Sequence, residues 1–216
     1  MIDIIPSVLV SNKQEFLSQI QALDHSVGHL QLDIADGIFV PNTTWADPHV
    51  VEGIEGYTFE LHLMVSSPLE VIEKWANIQC VTRFIIHSES VENLPEIIQH
   101  ARLHNKEIFI ALKPETSLKK LEAVHDTIDG VLFMGVTPGF QGQKLIPQVL
   151  TKITECGKKY PNLYTELDGG VQEDTLETIA KSGVHAICPG SLVFKQKQNA
   201  HKQIILIKNQ LAKLAN

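Results

Sequence analysis

The chain has 216 residues, of which 44% are hydrophobic and 20% charged, and its formal net charge is −7. This acidic balance includes no run of lysine or arginine, so we expect no nucleic acid partner, because phosphate backbones require a basic face. No apolar stretch is long enough to span a bilayer, and the first residues lack the basic start of a signal peptide, so we expect a cytoplasmic protein with no membrane partner. Three cysteines, Cys80, Cys156 and Cys188, have no metal-type spacing and indicate a reducing compartment.

Short runs rich in apolar and β-branched residues recur along the chain and predict eight strands. In chain order these runs are DIIPS (3–7), HLQLDI (29–34), TFELHLM (58–64), RFIIH (83–87), EIFIAL (107–112), GVLFMGV (130–136), LYTELDG (163–169) and HAICPG (185–190).

Segments with a helical period separate most of these runs. Residues 12–23 carry apolar side chains along one side, with Asn12 as the expected N-cap. In residues 67–78, Pro68 follows the expected N-cap Ser67. The remaining predicted helices are a short one near residues 49–53 and longer ones at 93–104, 117–125, 145–160, 173–183 and 200–215.

Strands that alternate with helices predict a parallel sheet. Eight such units fill residues 1–216 without a linker, so we expect one domain with the α/β architecture of a (β/α)8 TIM barrel. A doubly wound open sheet is the structural alternative. Because the active site of such a barrel lies at the carboxyl ends of its strands, polar residues at those ends are the candidates for chemistry.

Three polar residues at predicted strand ends indicate proton transfer and metal binding. Asp33 and Asp168 end the second and seventh strands, nearly opposite each other around a barrel. Two carboxylates on opposite sides of a small substrate suit removal of a proton from one face and its return to the other. The alternative is that each aspartate caps a loop. His62 interrupts an apolar strand, and beside two carboxylates it indicates a ligand for a divalent metal.

Small residues follow three consecutive predicted strands, at 137–143, 168–170 and 189–191. Glycine lets a backbone approach an anion closely, and the loops after the last strands are the usual phosphate site of such barrels. These segments therefore predict a phosphate site. Met64 and Met134 also fall at strand ends, where methionine ordinarily fills gaps in a core.

Six stretches taken together resemble the ribulose-phosphate 3-epimerase family: PSVL (6–9), LDIADGIFVPN (32–42), LHLMVSSP (61–68), MGVTPGFQGQ (134–143), ELDGGV (166–171) and PGSLVF (189–194). They cover nearly the whole chain in the order of the family. The resemblance implies a ribulose-phosphate-binding TIM barrel that acts as an isomerase in the pentose phosphate pathway. Its expected reaction interconverts D-ribulose 5-phosphate and D-xylulose 5-phosphate by inverting C3.

The resemblance also implies roles for individual residues. Asp33 and Asp168 match the two acid/base aspartates, and with His62 they match the ligands of a divalent cation. The sequence does not distinguish Zn, Fe, Mn and Co as that cation. We further expect a sugar-phosphate substrate and a homo-oligomer. The residues that match substrate-binding positions are Ser7, His62, Met64, Met134, Gly139, Phe140, Gln141, Gly142, Gly169, Gly170, Gly190 and Ser191.

The chain departs from the family pattern at Gln31, where the family has a second metal-ligating histidine. An amide oxygen is a poorer ligand than imidazole for zinc-like ions, so we expect weak binding of the cation. Alternatively, Gln31 hydrogen-bonds Asp33 or a substrate hydroxyl and the site binds no metal. The other departures are Ala35 for a methionine, Ile38 for a histidine and Glu115 for a glycine.

Three other functions compete with a pentulose phosphate epimerase. The first is an epimerase of a six-carbon ketose phosphate, since Ala35 and Ile38 would allow a reshaped pocket. The second is a sugar-phosphate-binding protein with impaired catalysis. The third is a related decarboxylase or aldolase, which expects a lysine two residues after Asp33, where this chain has Ala35.

Overall fold

The computed structural model describes residues 2–195 and 199–214. In these ranges nine short strands form one parallel sheet, in which adjacent strands are consecutive along the chain, except that the first strand pairs with the ninth and not with the second. The strands are β1 (Asp3–Ile4), β2 (Ser7–Val8), β3 (His29–Ala35), β4 (Thr58–Met64), β5 (Val81–His87), β6 (Glu107–Leu112), β7 (Gly130–Met134), β8 (Tyr164–Asp168) and β9 (Ala186–Cys188).

The sheet closes because the first predicted strand is divided between its two edges. β1 pairs with β9, whereas β2, which begins after Ile5 and Pro6, pairs with β3. Pro6 has no N–H to donate, but its carbonyl oxygen accepts from the Gln31 N–H at 3.1 Å. This arrangement confirms the predicted (β/α)8 barrel and excludes the open sheet.

Helices surround the barrel and pack apolar faces against its strands. Asn12 caps the first helix, α1 (Lys13–Leu23), as predicted, since its side-chain oxygen accepts from the Glu15 N–H at 2.9 Å. Ser67 lies at the N-cap of α3 (Pro68–Trp75), but its side chain makes no capping hydrogen bond. None of the helices in the described ranges is long and apolar enough to cross a membrane. The helices are α1 (Lys13–Leu23), α2 (Pro48–Glu52), α3 (Pro68–Trp75), α4 (Leu94–Arg102), α5 (Gln148–Lys159), α6 (Leu176–Lys181), α7 (Ser191–Phe194) and α8 (Ala200–Leu214).

The prediction of an α-helix at residues 117–125 is wrong. Only Leu118–Leu121 are helical, and they form a 3-10 helix that is followed by turns. The apolar residues Leu118, Leu121 and Val124 recur every third position, which fits the roughly three residues per turn of a 3-10 helix. This segment therefore buries Leu121 and Val124, and partly buries Leu118, without α-helical geometry.

The barrel interior contains a layer of buried charge that the sequence patterns did not indicate. Glu60 on β4 and Glu166 on β8 are buried, and both contact Nη1 of Arg83 on β5, at 2.6 and 2.5 Å. Arg83 also binds Glu107 at 2.7 Å, and its guanidinium lies 3.8 Å from the centre of the Phe109 ring. Arg83 thus compensates carboxylates that are shielded from water.

Replacing Arg83 by methionine leaves Glu60 and Glu166 without their cationic partner. We expect the free energy of unfolding of Arg83→Met to fall by about 3–5 kcal/mol, as when one member of a buried ion pair is removed. Urea unfolding followed by circular dichroism measures this loss. Arg102→Met is the matched control, because its partner Asp129 is partly exposed, and it should cost less than about 1 kcal/mol. Equal losses in the two variants would contradict the compensating role.

Candidate active site

Asp33 and His62 lie side by side because β3 and β4 pair with these two residues in register. Gln31 precedes Asp33 by two positions, so the two side chains share one face of β3. That face is the barrel interior, where Gln31, Asp33 and His62 are 0%, 3% and 0% exposed. Asp168 ends β8 and is 7% exposed.

The carboxylates of Asp33 and Asp168 converge on His62 and Gln31. His62 Nδ1 lies 3.0 Å from Asp33 Oδ1 and 3.3 Å from Asp168 Oδ2. The Gln31 amide nitrogen donates to the same two oxygens, at 2.8 and 2.9 Å. Barrel closure therefore brings the second and seventh predicted strands to one polar centre.

A second histidine orients the His62 ring. His62 Nε2 lies 2.9 Å from Nε2 of His87, and His87 Nδ1 lies 3.2 Å from Glu89 Oε2. Glu89 also accepts from the Lys113 N–H at 2.9 Å. Because a carboxylate only accepts, His87 donates from Nδ1 to Glu89 and accepts at Nε2 from His62. His62 thus directs its remaining nitrogen, Nδ1, at the two aspartates.

Burial and hydrogen bonding shift the pKa values of the residues in this centre in opposite directions. Burial opposes protonation of His62, but hydrogen bonds to Asp168 and Asp33 outweigh it and raise the His62 pKa to about 10. Burial, with the Asp168 charge, raises the pKa of Asp33 to about 6 even though the His62 hydrogen bond lowers it. Burial lowers the pKa of His87 to about 4. These shifts describe a neutral His87 beside a His62 imidazolium that faces two carboxyl groups.

Asp33, His62 and Asp168 form a group of potential metal ligands whose nitrogen and oxygen atoms lie within 4.8 Å of one another. Ligands about 2.0 Å from a tetrahedral ion are separated by about 3.3 Å, which is near the 3.0 and 3.3 Å measured from His62 Nδ1. This donor set suits a zinc- or manganese-like ion. The Gln31 amide oxygen is buried without a hydrogen-bond partner in the described chain, while its nitrogen faces the carboxylates. Three residues therefore fit a divalent cation, and Gln31 in this orientation adds no ligand.

Asp33 and Asp168 line a cavity of about 40 Å³ at the carboxyl ends of the strands. A wider cleft of about 1020 Å³ shares Gly142, Gly170 and Ser191 with this cavity. His62 contacts both carboxylates but is not among the residues that line the cavity. The other sequence-predicted site residues that line the cavity are Met64, Met134, Gly139, Phe140, Gln141, Gly142, Gly169, Gly170 and Ser191.

The predicted phosphate segments meet at the mouth of the barrel, and glycine is required there. Gly170 has a φ of +73°, and a Cβ at this position would lie 2.5 Å from Leu145 Cα. A Cβ on Gly190 would lie 2.7 Å from Ser7 Oγ. The side chain of Gln141 reaches the same point, where its amide donates to the Ser7 carbonyl at 3.2 Å. Ser7 and Gly190 therefore belong to this mouth, although neither lines the small cavity.

Sequence reasoning missed three polar residues beside this mouth. Gln172 donates to Ser191 Oγ at 3.3 Å, and Lys144 and Lys195 line the wider cleft. Their only signal in the sequence is that each follows one of the small-residue segments directly or within a few positions. They add an amide and two cationic groups to the mouth formed by the small-residue segments.

Two departures from the family pattern do not line the cavity directly. Among the residues that the structure describes, the cavity lining includes neither Ala35 nor Ile38. The Ile38 side chain is 78% exposed, and Ala35 packs with Val40 and Met64. Ile38 therefore gives no support to the reshaped pocket considered for a six-carbon substrate, whereas Ala35 contacts Met64, which lines the cavity.

Asp36 holds the loop after β3 against the loop after β4. One of its oxygens accepts from the Ile38 and Phe39 N–H groups, at 2.8 and 2.9 Å. The other accepts from the Ser66 N–H and hydroxyl, at 2.7 and 2.8 Å. Burial alone would raise the Asp36 pKa, but these hydrogen bonds lower it to about 2.

Comparison with known proteins shows the family. The model of the ribulose-phosphate 3 epimerase family matches residues 3–194. The chain belongs to this family. The ribulose-phosphate 3-epimerase of Schizosaccharomyces pombe is 33% identical over 217 residues, which cover 97% of this chain and 94% of that protein. The Bacillus subtilis protein of the same name is 32% identical over 207 residues, which cover 91% and 94%. Family membership confirms the expected isomerase class.

Solved structures share the barrel at low sequence identity. KGPDC from Streptococcus mutans, in a ligand complex, has a TM-score of 0.78 at 12% identity, over 100% of this chain and 99% of that one. 3-Hexulose-6-phosphate synthase from Salmonella typhimurium has a TM-score of 0.73 at 12% identity, over 99% and 100%. These similarities confirm the fold.

The low pKa of Asp36 predicts how its contribution to stability depends on pH. The folded-state value of about 2 lies below the ordinary 3.8, so the charged form stabilises the fold above pH 3.8 and this stabilisation is lost as pH falls toward 2. We expect Asp36→Asn to lower the free energy of unfolding by about 1 kcal/mol at pH 7. The difference from the wild type should shrink as pH falls through that range.

Denaturant unfolding between pH 2 and 7 measures the Asp36 effect. Asp126→Asn serves as the control, because its side chain is 89% exposed, and it should change stability by less than about 0.5 kcal/mol. A pH-independent effect of Asp36→Asn would argue against the charged hydrogen bonds.

Proposed function

We propose that the protein interconverts D-ribulose 5-phosphate and D-xylulose 5-phosphate by inverting C3, with Asp33 and Asp168 as the two acid/base residues. The observation that supports this proposal most directly is the convergence of both carboxylates on one cavity from separate parts of the barrel. Family membership supports the reaction class.

Inversion at C3 requires that a proton leave one face of the sugar and that a proton return to the other. One carboxylate accepts the C3 proton, and the carboxyl group on the opposite side donates its own. The Asp33 pKa of about 6 suits a group that both holds and releases a proton near neutral pH. Hydrogen bonds from His62 and Gln31 keep the two carboxyl groups in place between these steps.

Asp33, His62 and Asp168 are the residues that would hold a divalent cation. When bound, such a cation supplies stabilisation of the negative charge that develops on the substrate oxygens as the proton leaves. Met64 and Met134 line the same cavity and are buried, so they limit access of water to the reacting carbon.

We place the substrate phosphate at the mouth formed by the loops after β7, β8 and β9. Gly142, Gly170 and Ser191 line both the small cavity and the wider cleft, and a Cβ on Gly142 would meet open space, so the backbone at this mouth is accessible to an anion. Lys144 and Lys195 in the adjoining cleft would attract the doubly charged phosphate toward it.

Replacing Asp168 by asparagine tests the two-base assignment. The variant keeps the size of the side chain but cannot exchange a proton, so we expect epimerisation to fall by about 10³-fold or more with the fold intact. In D2O, Asp168→Asn should still exchange the C3 proton of one of the two pentulose phosphates, and Asp33→Asn that of the other. Proton NMR follows the exchange for both sugars.

Asp126→Asn, remote from the cavity, is the control and should turn over normally. Near-normal turnover in Asp168→Asn, or exchange of the same sugar in both variants, would overturn the assignment. A panel that adds hexulose 6-phosphates tests the substrate, and faster turnover of a six-carbon sugar would reassign it.

A further inference from the structure

The Gln31 carboxamide lies at the centre of the metal-ligand group. Its nitrogen is 2.8 Å from Asp33 Oδ1, 2.9 Å from Asp168 Oδ2 and 3.4 Å from His62 Nδ1. These are atoms through which the three residues would hold a cation. The amide nitrogen therefore contacts the same atoms that a bound cation would contact.

The amide oxygen of Gln31 shows what maintains this orientation. Oε1 is buried and has no hydrogen-bond partner among the described residues, which is costly for an acceptor. Turning the carboxamide over would place this oxygen against the Asp33 and Asp168 oxygens, where like partial charges repel. The two carboxylates thus hold the amide nitrogen inward even though the oxygen loses its partner.

We propose that Gln31 competes with the divalent cation for the centre formed by Asp33, His62 and Asp168. Its amide nitrogen satisfies both carboxylates, so a cation has to displace it before binding. The inference rests on the proposed function for the identity of the cation site. It replaces the view of Gln31 as a weak ligand with that of an internal competitor.

The sign of one mutational effect separates these two roles. A ligand lost from the site weakens cation binding, whereas a competitor lost from the site strengthens it. Gln31→Leu removes both the amide donor and the amide oxygen but keeps a side chain of similar size. We expect it to bind Mn²⁺ about 10-fold more tightly than the wild type, the equivalent of one hydrogen bond to a charged group. Gln31→Ala should change the affinity in the same direction, and Gln31→His, which adds a nitrogen ligand, should bind most tightly.

Isothermal titration of chelator-treated protein with Mn²⁺ alone measures these affinities without turnover. Gln19→Leu is the matched control, because Gln19 is another buried glutamine, and its Kd should equal that of the wild type. Thermal melting and circular dichroism establish that each variant folds, and Gln31→Ala replaces Gln31→Leu if the latter does not. Weaker Mn²⁺ binding in the folded Leu or Ala variant would overturn the competition.

The outcome is distinguishable from that of the proposed function. Tighter binding in Gln31→Leu with no epimerase activity in the wild type would uphold the competition and overturn the function. An active wild type with weaker Mn²⁺ binding in Gln31→Leu would uphold the proposed function and overturn the competition.

A second cluster, on the outside of the barrel, is independent of this centre. His100 near the end of α4 and His104 in the following turn are one helical turn apart, and Glu73 extends toward them from α3. Glu73 Oε1 lies 2.5 Å from His100 Nε2 and 3.4 Å from His104 Nε2. Both imidazoles therefore direct Nε2 at one carboxylate oxygen, and the three ligand atoms lie within 4.8 Å of one another.

We infer that His100, His104 and Glu73 bind a zinc-like divalent cation. Two histidines one turn apart with a glutamate from another element form a His2Glu donor set, which leaves a position open to solvent. The 3.4 Å from His104 Nε2 to Glu73 Oε1 is near the separation of about 3.3 Å between tetrahedral ligands. The 2.5 Å from His100 Nε2 to the same oxygen is a hydrogen-bond distance, which has to lengthen when a cation binds. Bound there, the cation links α3 to α4 and stabilises the folded chain.

Titration with Zn²⁺ alone tests the outer site through stoichiometry and melting temperature. We expect His104→Asn to lose one Zn²⁺ site, weakening it at least 10-fold, and to lose the associated rise in melting temperature. His125→Asn is the control, because His125 pairs with a carboxylate, Asp126, without a second histidine. Identical Zn²⁺ titrations of His104→Asn and the wild type would overturn the inference.

Discussion

The parallel pairing of β3 with β4, in register from His29 to Ala35, is the constraint on which the polar centre depends. This register sets Asp33 directly beside His62, and the alternation of side chains along β3 turns Gln31 to the same interior face. The first predicted strand is split into β1, which pairs with β9, and β2, which pairs with β3. This pairing closes the sheet and brings Asp168 to the same centre. Without closure, the second and seventh predicted strands would lie far apart.

Two layers of buried charge lie in the interior of this barrel, and each layer contains groups that offset its own buried carboxylates. In one layer, Arg83 pairs with Glu60 and Glu166. In the other, His62 faces two aspartates, and its raised pKa expresses the same need for a buried cation. Buried carboxylates are tolerated only when a partner offsets their loss of hydration. The site is therefore built from residues that would destabilise the barrel if any one of them stood alone.

Gln31 changes how this compensation is achieved. An amide carries no charge, yet its nitrogen donates to both aspartates and so offsets part of the repulsion between them. A divalent cation would satisfy the same oxygens more strongly but would have to displace that nitrogen. Gln31 departs from the family pattern, and it is also the residue whose amide nitrogen competes with a divalent cation for the two aspartates.

Much of the fold and part of the site could be predicted from the sequence. The alternation of strands and helices, the cap at Asn12 and the placement of Asp33, His62 and Asp168 at strand ends all arise from local patterns of residue type. The 3-10 turn at Leu118–Leu121 could not be predicted with the same success, because a spacing of three is close to the α-helical period.

By itself the sequence determined the alternation of strands and helices and the set of polar residues at the carboxyl ends of the strands, because periodicity and turn residues act over short distances, but it left the open sheet as an alternative to the barrel. Only the tertiary structure decided that Arg83 neutralises two glutamates, that His87 and Glu89 orient His62, and that the Gln31 nitrogen faces the aspartates. Each of these contacts joins side chains from different strands, and its geometry depends on register and closure. The direction of a hydrogen bond follows from the atoms around it, and in this site those atoms come from β3, β4 and β8.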